Sequence, residues 1–146
     1  GDGKEATEEA IRGIYDSLRA TSLAMSEEAV LPGGGAAHSM IAHHVRTQME
    51  SEPGRERIAM EAFARAMETI PAALAENSGQ NPLDKVLKLR SEARNGNCVG
   101  INKDGDISSL DGVWHPKSVI SESLETATET AISMLRIDQV VSARGD

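Results

Sequence analysis

The run Leu31-Pro32-Gly33-Gly34-Gly35-Ala36-Ala37 constrains this chain more than any other stretch. A proline, with fixed φ and no N–H, leads into three glycines, and a long helical pattern opens at about Ala36. Lacking a Cβ, glycine reaches positive φ and lets other groups approach its backbone closely. The first N–H groups of the following helix have no intrahelical partner and carry the positive end of its dipole. Such a turn can seat phosphate. The run is neither GxGxxG nor a Walker sequence, and on residue types alone it reads as a breaker between two helices.

The 146 residues suit one domain with a substantial core. Apolar residues make up 39% but aromatics only 2%, so the core must come from Ala, Leu, Ile, Val and six Met. That composition favours closely packed helices over a β-sandwich. A formal charge of −8 argues against nucleic-acid or anionic-membrane partners, which need a basic face. The single Cys98 excludes an internal disulfide, fits a reducing cytosol and reads as a small buried hydrophobe. No apolar run reaches membrane-spanning length and no signal-peptide pattern leads the chain, so a cytoplasmic protein is expected.

Helical spacing of Ile11, Ile14, Leu18 and Met25 predicts a first helix from about Glu5 to Glu28, ended by Pro32 and the glycines. Asp16 lies on its flank, where periodicity alone makes it a solvated acid. A second helix is expected from about Ala36 to Ser51, with Met40, Ile41, Val45 and Met49 inward. After a turn at Glu52-Pro53-Gly54, a third runs through Met60, Phe63 and Met67, with Pro71 kinking it or starting a new segment. Gly79 closes that segment, and Asn81-Pro82 caps and opens a helix reaching Arg94. Cys98 to Asn102 and Ile107 to Leu110 read as a hairpin around Lys103-Asp104-Gly105-Asp106. Pro116 is expected to open a last helix to Arg136, followed by an edge strand over Gln139 to Ala143.

Other local clusters carry little chemistry. His38, His43 and His44 are not at the i, i+4 spacing of a helical zinc pair. Asp104-Gly105-Asp106 has its glycine misplaced for a calcium loop and lacks the closing Glu. Ser39 beside His38 has no glycine elbow, and Arg144-Gly145-Asp146 reads as a polar tail. No metal site is expected.

Taken in order, four blocks resemble the group II chaperonins, the archaeal thermosome and its eukaryotic counterpart TRiC/CCT. They are Leu31-Pro32-Gly33-Gly34-Gly35-Ala36, the run from Ala73 to Asp84 (ALAENSGQNPLD), Gly100-Ile101-Asn102, and Ala127-Thr128-Glu129-Thr130-Ala131 with Met134-Leu135-Arg136-Ile137-Asp138. The resemblance implies a mainly α fold with a small hairpin and a C-terminal edge strand, residues 1–146 being the C-terminal half of an equatorial, ATP-hydrolysing domain. It implies ATP and magnesium as ligands of the whole subunit, other subunits in a double ring as partners, and unfolded clients held by domains outside this chain.

Residue by residue, the resemblance makes Asp16, in Asp16-Ser17-Leu18, the acid that positions or activates the attacking water. It makes Gly33, Gly34 and Gly35 nucleotide contacts and Gly100 and Ile101 neighbours of the base. His115 stands before Pro116 where the family has a ribose-contacting acid, Ser109-Leu110 replaces Asp-Met, and His38 replaces Glu. The family's second phosphate loop, Gly-Asp-Gly-Thr-Thr, is missing; Gly1-Asp2-Gly3-Lys4-Glu5 only begins like it. One wall of a site implies that the chain alone is inactive, and the face left by a missing partner implies self-association. The competing expectation is a non-enzymatic scaffold that kept the fold and lost the nucleotide.

Overall fold

Small and bulky apolar residues alternate along the middle of the sequence at helical spacing, and three packed helices result. A computed structural model describes residues 30–51, 54–109 and 114–116, together with Glu8, Arg12, Glu122, Thr126, Glu129 and Ser133. In order these form β1 (Val30–Pro32), α1 (Ala36–Met49), α2 (Gly54–Asn77), α3 (Pro82–Arg94), β2 (Gly100–Ile101), β3 (Ile107–Ser108) and β4 (Trp114–Pro116). Among the described residues the fold is mainly helical, with two small antiparallel ladders, β1–β4 and β2–β3.

Helix α2 packs against both α1 and α3, and α1 also reaches α3. Met60, Phe63 and Met67 of α2 meet Ile41, Ala42 and Val45 of α1 in one buried cluster. Each large side chain fully removed from water there contributes about 1.5–3 kcal/mol. With so few aromatics, Phe63 and the two methionines supply most of the cluster's bulk.

The helix ends follow the sequence closely. At α3, Asn81 Oδ1 accepts the Asp84 N–H at 3.0 Å, and Pro82 occupies the first turn. After α2, the Gln80 N–H donates to the Ala75 carbonyl at 2.9 Å and the Gly79 N–H to the Glu76 carbonyl at 3.0 Å. This is a Schellman close, with Gly79 at φ 78°. Gly96 ends α3 the same way, through Asn97 to Glu92 and Gly96 to Ala93.

Pro71 does not divide α2, which runs unbroken from Gly54 to Asn77. Its ring is fully buried and lies against Gly35, where an added Cβ would sit 2.7 Å from the Pro71 Cβ. The glycine leaves the room that a proline ring inside a packed helix needs. The lost ladder bond is thus accompanied by close packing against the glycine turn.

Two expectations around the strands are corrected. Pro32 does not merely end a helix, and Pro116 does not open one: Val30–Pro32 and Trp114–Pro116 pair antiparallel, Leu31 opposite His115. Each proline sits at a ladder end, where its missing N–H is tolerated. The hairpin is shorter than expected, Gly100 facing Ser108 and Ile101 facing Ile107. Its loop is fixed by Asn102, whose Oδ1 accepts the N–H groups of Asp104 and Asp106 at 2.9 and 3.0 Å. Cys98 is exposed rather than buried, because β2 begins two residues after it. Partial burial still pushes its thiol pKa up, away from the reactive thiolate.

Glu122, Thr126, Glu129 and Ser133 are helical and exposed, the outward spacing expected of the last helix. The inward positions of that helix, the edge strand over Gln139 to Ala143, and the first helix beyond Glu8 and Arg12 lie outside the described residues.

Candidate functional site

The glycine turn is held between a strand and a helix. Gly34 and Gly35 take φ 65° and 79°, a left-handed pair that reverses the chain into α1. The Ala36 N–H donates to the Gly33 carbonyl at 3.1 Å, and the Gly34 carbonyl accepts the Ile101 N–H at 2.8 Å. Gly100 presses on the same turn: a Cβ there would lie 2.6 Å from the Gly34 oxygen and 2.9 Å from the Gly33 oxygen. Gly33, Gly34, Gly100 and Ile101 therefore meet at one point, although their two segments are far apart in sequence.

His115 belongs to the same neighbourhood through its backbone. Strand β1 runs directly into the turn, and β4 places His115 opposite Leu31. Of the residues expected to bind nucleotide, only Gly35 has a different neighbour, the buried Pro71 ring of α2. Asp16, the expected catalytic acid, lies outside the described residues.

The electrostatics at the start of α1 favour an anion. Gly35 is the N-cap and offers no side-chain cap, and the first turn holds no acidic residue. The dipole end is therefore not neutralised by the protein's own carboxylates. Gly33 to Ala37 are buried, with Ala36 and Ala37 only 1% and 0% exposed, and the Ala36 N–H is already paired. Among the described residues, no three His, Cys, Asp or Glu side chains gather to hold a metal ion, the three histidines of α1 included.

A second polar feature was not anticipated. Glu68, on α2, is buried and receives two arginines: Arg46 of α1 at 2.7 and 2.8 Å, and Arg90 of α3 at 2.6 and 2.7 Å. Arg46 also reaches both oxygens of Glu61, at 3.0 and 3.1 Å. Burial pushes the Glu68 carboxyl up, but the hydrogen bonds from Arg46 and Arg90 outweigh it and hold the group below its ordinary value. Burial lowers and the two glutamates raise the Arg46 pKa, with a net rise. The network ties α1, α2 and α3 together. Its sequence signal is an acid in phase with the buried positions Met60, Ala64, Pro71 and Ala75.

Comparison with known proteins gives this geometry a family. The TCP-1/cpn60 chaperonin family matches residues 1–145. The chain is 41% identical to thermosome subunit beta of Thermoplasma acidophilum over 99% of its own length and 27% of the relative's. It is 38% identical to thermosome subunit alpha of Halobacterium salinarum, over 98% of the chain and 26% of the relative. Among solved structures, the open-state monomer of a group II chaperonin from Methanococcoides burtonii superposes with a TM-score of 0.64 at 32% identity, covering 73% of this chain and 28% of that one. The chain thus spans about a quarter of the length of the relatives it matches. It belongs to the TCP-1/cpn60 chaperonin family, and its fold is shared with a group II chaperonin.

Proposed function

We propose that the chain is the C-terminal half of the equatorial domain of a chaperonin subunit and forms one wall of that subunit's ATP site. The observation that carries this reading is the junction of Gly34 with Gly100 and Ile101, at the uncapped start of α1. Here a helix dipole, two left-handed glycines and a short strand converge with no side chain in the turn. Phosphates would be received by Gly33, Gly34 and Gly35 and the base by Gly100 and Ile101, with His115 toward the ribose. Asp16 would position the attacking water, so that the enzyme's contribution is placement and charge more than covalent chemistry. ATP supplies the phosphoryl group. Among the described residues no three His, Cys, Asp or Glu side chains gather to hold magnesium.

In this reading the subunit's partners are further subunits in a double ring, and unfolded clients are held by other domains. Leu83, on α3, is 65% exposed and suits burial by the rest of the subunit or by another copy.

A second reading, a scaffold that has lost the nucleotide, is favoured by one observation. The glycine turn is buried and its first helical N–H is already paired. The two are separated by ATP binding to a full-length subunit carrying this segment. Gly34→Asp places a negative charge at the turn, while Gly34→Asn keeps size and tolerance for positive φ. Asp should weaken ATP binding by about tenfold or more relative to Asn, through like-charge repulsion. Equal affinities for the two variants would remove the turn from the site.

A further inference from the structure

A cleft of about 490 Å³ opens between α1, α2 and α3 and runs along α1 from Ser39 to Glu50. Its size lies within the range of small-molecule sites. The floor is Glu68, whose carboxylate is fully engaged by Arg46 and Arg90. The rim is different. Arg57, near the start of α2, and Arg94, in the last turn of α3, both line the cleft and are exposed. Among the described residues neither pairs with a carboxylate, and the cleft's second acid is Glu50. Four arginines thus line the cleft against two glutamates, in a chain of net charge −8.

At the inner end, Ser39 is only 7% exposed, and its buried Oγ has no hydrogen-bond partner. A buried hydroxyl without a partner calls for an explanation, and a bound acceptor supplies one. His43 of α1 adds a further ring nitrogen to the wall. Guanidinium groups match phosphate oxygens with paired N–H donors, and Glu68 already satisfies the floor arginines. The free recognition capacity is therefore cationic and forked.

We propose that this cleft binds a small phosphate-bearing anion, at a site separate from the glycine turn. Arg57 and Arg94 hold the ligand, the Glu68 network fixes the floor, and Ser39 donates from within. Free pyrophosphate and the phosphates of a nucleotide present the same chemistry, and competition separates the two sources.

The test is calorimetric titration of pyrophosphate into the 146-residue chain at low salt. Saturable binding is expected, weakened ~tenfold or more in the double variant Arg57→Gln/Arg94→Gln. Both positions are exposed, and far-UV circular dichroism verifies that the helices persist. ATP but not adenosine should compete. Absence of saturable binding, indifference to the double variant, or competition by adenosine would each overturn the proposal.

Discussion

The Gly34 carbonyl oxygen accepts the Ile101 N–H at 2.8 Å, so the turn that starts α1 is docked on the strand that starts the hairpin. The same oxygen stands 2.6 Å from where a Cβ on residue 100 would be. Gly100→Ala should therefore destabilise the chain by about 1–3 kcal/mol, because the obstacle is backbone that cannot swing away. Gly54→Ala, where a Cβ meets open space, is the control and should not lower stability. Thermal unfolding of the two variants checks the contrast, and equal midpoints would mean that β2 is not pressed on the turn.

The Glu68 network makes a pH-dependent contribution with a definite sign. Burial alone would raise the carboxyls of Glu68 and Glu61, but their arginine partners hold both below the ordinary 4.5. Their stabilisation is therefore complete above about pH 4.5 and is lost as pH falls through the lowered folded-state values. Glu68→Gln should flatten that acid limb of the stability curve. At neutral pH it should cost ~3–5 kcal/mol, since Arg46 and Arg90 lose a buried counter-charge. Denaturant titrations at several pH values read both effects. An acid limb unchanged by the substitution would mean that Glu68 is protonated throughout or plays no part.

What could be read directly from the sequence was local. Asn81-Pro82, Gly79 and Gly96 act through contacts a few residues away, and all three ends fall where those residues put them. Pro71 misled because its effect depends on Gly35, which leaves space for the ring from another element. The β1–β4 pair was illegible for a similar reason: three-residue segments with a proline at one end give no alternation, and only the fold brings them together. Glu68 meets both arginines at a separation of 22 residues, beyond any helical periodicity. At the site, the glycines were legible by type, but their meeting was implied only by family resemblance.

Asp16 carries the catalytic part of the proposal. In a full-length subunit bearing this segment, Asp16→Ala should leave ATP affinity within a few-fold while slowing hydrolysis by about 100-fold or more. That pattern marks an interaction used mainly in the transition state. The 146-residue chain alone should hydrolyse ATP no faster than background. Steady-state turnover measured beside equilibrium binding distinguishes the cases, and loss of binding together with turnover would make Asp16 a structural residue.

In the proposed function, the junction of the glycine turn with β2 faces the nucleotide. Photolabelling of a full-length subunit with an azido-adenine ATP analogue, followed by peptide mapping, tests it most directly. Labelling is expected within residues 98–102, suppressed by excess ATP and weakened in Gly34→Asp relative to Gly34→Asn. Labelling that maps away from both the hairpin and the glycine turn, with ATP still protecting, would contradict it.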